Sequence, residues 1–441
     1  MSGIAEVFLN QGYPISGSDL TESDNTRRLK KLGASICIGH SKENLPGASV
    51  VVISSAVKPN NPEVIEAKRL RIPVIPRAEM LGELMRGKTG IAVAGSHGKT
   101  TTTSMLATVL THAGLDPTLV IGGIVDLLGG NAKLGQGQFV VAEADESDGS
   151  FLHLPASYGI ITNIDNDHLD HYGSLMNIEN AFVDFVGKFP FYGLVSVCAE
   201  DEGVRRCLER FTKPVTTYGF SKEWEFWAQE IELKPFGTRF LTPQGWVELK
   251  IPGKHNVLNA LSTIPIALKF GIPFPKIAEG LEMFQGVDRR FQIRFQDEKR
   301  KTVVIDDYGH HPTEISATLD TARNFWKGRI ITVFQPHRFS RTLQCHDGFL
   351  KAFLKTDVLI LSDIYPAGEE PIAEVHSEIL SKEIQKFSTP YQKIIYGGNL
   401  DMSMELVLKE FQDGDLILFL GAGSITKLAG QFIKTLGARS K

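Results

Sequence analysis

The stretch IAVAGSHGKTTTTSML, Ile91 to Leu106, constrains this chain more than any other. An apolar run leads into a loop with glycines at 95 and 98, and Lys99-Thr100 then opens a helix-like segment. A strand, loop and helix in that order belong in a parallel sheet, with the helix packed on one face. Gly95 and Gly98 let the backbone approach phosphate oxygens, while the free N–H groups and positive end of the next helix favour an anion. Lys99 supplies a cation for the β- and γ-phosphates, and Thr100 a hydroxyl for Mg²⁺. The spelling departs from G-x-x-x-x-G-K-[ST], because the place five before Gly98 is Val93. The motif predicts a shortened phosphate loop for a nucleoside triphosphate, built from Gly95, Ser96, His97, Gly98, Lys99, Thr100 and Thr101.

The length of 441 residues suits roughly three domains of about 150 residues. A net charge of −4 gives no basic footprint, so no nucleic-acid partner is expected. Cys37, Cys198, Cys207 and Cys345 show neither CxxC pairing nor metal-ligand spacing and read as thiols of a reducing compartment. No apolar run reaches the ~18 residues of a membrane span. The first residues carry Glu6 and no basic stretch, unlike a signal peptide. A cytoplasmic protein without membrane contact is expected.

Short apolar runs alternate with helix-like segments throughout, the rhythm of an α/β chain. YPISGSDL, SICIGH, SVVVISSAV and IPVIPR, up to about Lys88, predict one small parallel sheet. The middle stretch continues from the glycine loop through QFVVAEADESD, YGIITNIDNDHLDHY and GLVSVCAED to a segment near residues 225–250 that alternates like an antiparallel flap. The last stretch repeats a buried run ending in a polar loop: TVVIDDYGHHPTEI, RIITVFQPHRFSRT, DVLILSDIYPAG and DLILFLGAGSI. In an open parallel sheet such ends line one crevice.

Three further motifs carry chemistry. EADESD, Glu143 to Asp148, follows an apolar strand, where a carboxylate meets a loop-bound Mg²⁺. TNIDNDHLDHY gathers Asp165, Asp167, His168, Asp170 and His171 after another strand, which suits a second metal ligand or a base beside the phosphates. GKHNVLNALS places Asn256 and Asn259 at i and i+3 on one helix face. Helix capping and contact with an adenine edge both fit Asn256.

In this order, GSHGKTTTT, AEADESD, TNIDNDHLDHY, GKHNVLNAL, GVDRRFQ, DDYGHHPTEI and QPHRFSRT resemble the Mur ligase family over most of the chain. The resemblance implies three α/β domains. Residues 1–88 would be a Rossmann-like UDP-sugar-binding domain, 89–295 a central P-loop ATPase domain, and 296–441 a Rossmann-like amino-acid-binding domain. The family pattern opens with a strand and glycine-rich loop before the position of Met1, so the first domain is expected to lack its first strand. QPHRFSRT is similar to the loop of those members that add L-alanine to UDP-N-acetylmuramate rather than a murein tripeptide.

The implied reaction is ATP-dependent ligation of L-alanine to the lactyl carboxylate through an acyl phosphate, with ATP and Mg²⁺ as cofactors and a monomer or homodimer as the working form. Lys99, Glu143 and His168 would be catalytic, with Thr100, Glu143 and His168 on the metal. Asn256 and Asn259 would face the adenine, and Arg290 the phosphates. Tyr308, His310, Arg338 and Arg341 would form the alanine subsite, since a guanidinium fork suits a carboxylate. Ser54 and Ser55 would touch the UDP-sugar, with Ser18, Asp19, Arg77 and Glu79 as further walls of that pocket. The region ENAFVDF, where some members carry a carbamylated lysine, has none, so no carbamate is expected. Closure about GVDRRFQ is expected to complete the site.

Overall fold

The computed structural model describes residues 1–45, 47–54, 56–125 and 130–438, with the backbone alone at 122–125, 130, 131, 170 and 438. These form two compact units. One comprises Met1–Glu230, Phe240–Glu248 and Val257–Gln285, and the other Ile231–Arg239, Leu249–Asn256 and Gly286–Lys441.

In the first unit the N-terminal strands are β1 (Ser16–Asp19), β2 (Ser35–Ile38), β3 (Val51–Ile53) and β4 (Val74–Pro76). The single small sheet expected here is instead two parallel pairs, β1 with β2 and β3 with β4. No described strand bridges β1 to β3, so their backbones share no ladder. The helix Ser2–Asn10 ties this region down by placing Ile4 and Val7 in the same apolar core as Leu81, Leu84 and the strands that follow.

Those strands are β5 (Thr89–Ala94), β6 (Thr118–Val125), β7 (Gly130–Lys133), β8 (Phe139–Glu143), β9 (Tyr158–Ile161), β10 (Leu194–Cys198), β11 (Val215–Gly219) and β12 (Phe226–Trp227). They make one sheet in the order β12-β11-β10-β9-β5-β8-β6-β7, parallel except at the β7 edge. Gly90 to Ala94 of β5 are all buried, as a central parallel strand covered on both faces must be. The helix Lys99–His112 follows, with Thr101 to Leu110 buried. A further helix, Phe274–Met283, lies so close that a Cβ on Gly280 would come within 2.8 Å of the Val109 Cα. β13 (Gln229–Lys234), β14 (Gly237–Thr242) and β15 (Gly245–Leu249) make a separate three-stranded sheet, and β13 shows the alternating burial its sequence predicts.

The second unit is built on β16 (Gln292–Asp297), β17 (Thr302–Asp307), β18 (Ile330–Phe334), β19 (Val358–Ser362), β20 (Lys393–Gly398) and β21 (Leu416–Leu420), in the order β16-β17-β21-β18-β19-β20. β16 is antiparallel and the rest are parallel. The apolar runs of β17, β18, β19 and β21 are wholly buried. They separate two cores, one around Phe334 and Phe353 and the other around Phe419 and Phe432. Among the described residues no helix is long and apolar enough to cross a membrane.

Candidate active site

β5 lies between β8 and β9, and all three run parallel. Val93 stands opposite Glu143, and Ala94 opposite Ile161. Register therefore delivers the glycine loop, EADESD and TNIDND to one sheet edge, where an open parallel sheet binds its ligand. Gly98 caps the helix Lys99–His112 at φ +81°, a left-handed backbone that glycine adopts without strain. The loop is pinned from the end of β9. The His97 N–H donates to Asn163 Oδ1 at 2.8 Å, Thr162 Oγ1 donates to the His97 carbonyl at 2.6 Å, and the Asp165 N–H donates to Ser96 Oγ at 2.9 Å. His97 Nε2 lies 3.0 Å from Asp165 Oδ2.

Lys99 Nζ donates to the Gly95 carbonyl at 2.6 Å and to Glu146 Oε1 at 2.8 Å. Burial alone would lower the pKa of this amine, but the carboxylates of Glu146, Asp145 and Glu143 outweigh it and raise the pKa. Lys99 is held as an ammonium. Burial likewise works to raise the Asp145 pKa, and Lys99 together with hydrogen bonds from Ser147 brings it below the ordinary value. Thr100 sits in the first helical turn and Thr101 is buried behind it. His168 takes a left-handed backbone (φ +62°) and sets Nε2 3.6 Å from Glu146 Oε1. A non-glycine residue held there is uncommon and occurs at functional sites. Glu143, His168, Lys99 and Thr100 thus belong to one sheet edge. The backbone of Asp170 is described but its side chain is not.

Asn256 and Asn259 are both buried in the helix Lys254–Lys269. Asn256 Nδ2 donates to the Pro252 carbonyl at 2.7 Å, which ties the side chain to the residues just before the helix. A Cβ on Gly98 would come within 2.8 Å of Asn259 Oδ1, so Asn259 stands directly behind the phosphate loop.

In the N-terminal region Ser18 Oγ donates to Glu63 Oε2 at 2.8 Å and pairs with His40 Nδ1 at 2.8 Å. Asp19 ends β1, Ser54 follows β3, and Glu79 lies in the first turn of the helix Arg77–Met85. Arg77 Nη2 stands 3.5 Å from Asp145 Oδ2, which links that helix to the EADESD loop. Ser55 lies outside the described residues.

The second unit gathers its own polar group at the ends of β17, β18 and β19. The guanidinium of Arg290 stacks 5.1 Å over the Tyr308 ring, and its Nη1 lies 3.4 Å from Glu314 Oε1. The helix Pro312–Phe325 begins with Pro at its first position and a capping box between His311 and Glu314, which fixes the loop carrying His310. Arg341 Nη1 is 3.3 Å from His337 Nδ1, and the His337 ring stacks on Tyr365 at 5.5 Å. Burial lowers His310 and His337 to about 4, so both imidazoles are neutral at pH 7. Arg338 is half exposed and stands 4.0 Å from Glu369, a weak surface pair. Tyr308, His310 and Arg341 are thus close-packed, with Arg338 on the rim.

Sequence reasoning missed Glu146, Asn163 and Thr162 around the loop, and Glu314, His337 and Tyr365 in the second unit. All lie inside or beside motifs already singled out, but spacing does not reveal which of the four acids in EADESD turns inward.

Models of the Mur ligase family match along nearly the whole chain: "Mur ligase family, catalytic domain" over residues 1–89, "Mur ligase middle domain" over 93–267 and "Mur ligase, glutamate ligase domain" over 289–423. The chain belongs to the Mur ligase family. It is 51% identical, over 99% of its length and 96% of the relative's, to the UDP-N-acetylmuramate–L-alanine ligase of Trichlorobacter lovleyi. It is 52% identical to the ligase of the same name from Geobacter sulfurreducens, covering 99% of this chain and 95% of that one. Among solved structures, the UDP-N-acetylmuramate–alanine ligase of Thermotoga maritima superposes with a TM-score of 0.84 at 31% identity, over 100% of this chain and 97% of that one. A murein peptide ligase from Psychrobacter arcticus shares the fold, with a TM-score of 0.70 at 23% identity over 99% and 96% of the two chains.

Proposed function

We propose that this chain joins L-alanine to the lactyl carboxylate of UDP-N-acetylmuramate, consuming ATP and releasing ADP and phosphate, in the cytoplasmic synthesis of peptidoglycan precursors. The observation that carries this reading is the meeting, on one edge of the first unit's sheet, of a shortened phosphate loop, the acids after β8 and the imidazole after β9. Identity of 51–52% to ligases of that name supports the choice of alanine over a longer peptide.

A carboxylate is a poor electrophile, so the γ-phosphoryl group of ATP is first transferred to it. The amine of alanine then attacks the acyl phosphate, the amide bond forms and phosphate leaves. Most of the catalysis is positioning and charge compensation. Loop N–H groups from Gly95 to Thr101 hold the phosphates, and the ammonium of Lys99 faces the charge that develops on the transferred group. Glycine at both loop positions lets the loop pack closely, because a side chain at Gly95 would collide with Thr162 and one at Gly98 with Asn259.

Thr100, Glu143 and His168 would hold Mg²⁺, for which the hydroxyl and carboxylate oxygens are suitable hard donors. When bound, the ion neutralises charge on the phosphoryl oxygens. Asn259, with Asn256 one turn nearer the start of the helix, would face the adenine, and Arg290 would meet the phosphates. In the second unit Arg341 offers a guanidinium fork to the alanine carboxylate, with Tyr308 and His310 beside it and Arg338 at the rim. The neutral imidazoles of His310 and His337 add no positive charge against the incoming amine. Ser18, Asp19, Ser54, Arg77 and Glu79 serve as walls for the UDP-sugar, and the division at residues 88 and 295 assigns one substrate to each domain.

The test is phosphate release by the purified chain with ATP and Mg²⁺, with and without UDP-N-acetylmuramate and L-alanine. Release that requires both is the expected result. Release with ATP alone would overturn the reading in favour of a plain nucleotide hydrolase.

A further inference from the structure

Glu146 differs from the other acids of its loop. Its side chain is 2% exposed, whereas Asp145 and Asp148 reach solvent. One carboxylate oxygen, Oε1, accepts from Lys99 Nζ at 2.8 Å and lies 3.6 Å from His168 Nε2. The other, Oε2, is buried with no hydrogen-bond partner among the described residues. The backbone at this point is fixed, because the Tyr172 hydroxyl donates to the Glu146 carbonyl at 2.6 Å. A buried carboxylate oxygen without a partner is costly, and a native fold retains one where something else satisfies it.

The charge balance points the same way. With no nucleotide present, the ammonium of Lys99 neutralises Glu146. A bound triphosphate draws Lys99 toward its own oxygens, and Glu146 is then a buried anion facing another anion. Like charges at such range in a dry site are strongly unfavourable. A cation between them relieves the conflict, and His168 already supplies a nitrogen on that side of the carboxylate.

Resting on the ligase reading of the site, we propose that Glu146 is itself a ligand of a divalent cation beside His168 in the nucleotide complex, and serves as the counter-ion of Lys99 only until nucleotide binds. Glu143 and Glu146 would then stand on the same side of the phosphates, three residues apart on one loop.

The experiment is a Mn²⁺ titration followed by electron paramagnetic resonance on the full chain, with saturating ADP and without nucleotide, for wild type, Glu146→Gln and Lys99→Ala. With ADP present, Glu146→Gln should lose at least tenfold in Mn²⁺ affinity, while its affinity for ADP in EDTA falls by less than threefold. Lys99→Ala frees the carboxylate, so it should bind Mn²⁺ without nucleotide more tightly than wild type, and adding Glu146→Gln should abolish that gain. Unchanged Mn²⁺ affinity in Glu146→Gln, with weakened ADP binding in EDTA, would overturn the proposal and leave a counter-ion alone. If Glu146→Gln does not fold, the Lys99→Ala titration decides by itself. Wild-type phosphate release tests the ligase reading separately, so either conclusion can fail without the other.

Discussion

Gly95 and Thr162 approach so closely that a Cβ built on the glycine would overlap the threonine hydroxyl and reach 3.0 Å from the Asn163 backbone N. Gly95 also holds φ +132°, a backbone closed to L side chains. Gly95→Ala should weaken ADP binding at least ~10-fold and cost about 1–3 kcal/mol of stability through backbone strain alone. Gly114→Ala, at φ +82° with nothing among the described residues within 4 Å of the new methyl, isolates the strain without the collision. Calorimetric ADP titration and thermal unfolding of the two variants would check this. Equal ADP affinity in both would show that the close approach is irrelevant to the loop.

Lys99 is buried, charged and already within reach of two loop carbonyls, at 2.6 and 3.2 Å. Removing a group that stabilises charge in the transition state costs about 10²–10³ in turnover. Lys99→Ala should therefore cut substrate-dependent phosphate release by that order, while UDP-N-acetylmuramate binding in the absence of ATP stays within twofold. Retention of a tenth or more of the wild-type rate would contradict the role.

Arg341 is held against His337 rather than free in solvent, so its guanidinium plane is set before any ligand arrives. Lysine keeps the charge but not the fork. Arg341→Lys should raise the KM for alanine about tenfold, the equivalent of ~1.4 kcal/mol, with the KM for ATP unchanged. A parallel rise in both constants would indicate a folding defect instead of a lost carboxylate contact.

His346 Nε2 lies 2.7 Å from Glu383 Oε2, and that hydrogen bond raises the histidine pKa. A raised folded-state value means that the pair stabilises fully below the unfolded pKa of about 6.5 and loses its contribution as pH rises through the folded value. Both side chains are about a third exposed, so solvent screening holds the effect below about 1 kcal/mol. Glu383→Gln should lower the thermal midpoint at pH 6 and leave it unaltered at pH 9. A difference that persists unchanged at pH 9 would rule out the ion pair as its source.

What was legible in the sequence was local. The glycine loop, the acidic runs and the strand-end polar loops are spelled in contiguous residues, and buried parallel strands such as Ile91–Ala94 and Leu416–Leu420 announce themselves as unbroken apolar runs. Spacing narrowed Asn256 to two roles, and only the tertiary structure showed that its amide is tied to the Pro252 carbonyl. The N-terminal strands were recognisable, but their association into two pairs was not, because pairing depends on which neighbours are present.

Tertiary structure decided who stands beside whom. β9, β5 and β8 are neighbours although β6 and β7 come between β5 and β8 in the chain, and only that order brings TNIDND and EADESD to the two flanks of the loop. The same holds for Glu146. Three acids within four residues look alike in sequence, and burial against Lys99 and His168 singles one out. Residue types and their local spacing set the available chemistry, because strand and helix periods act over a few residues. The register of strands distant in sequence, and the desolvation that accompanies it, set which of those groups meet.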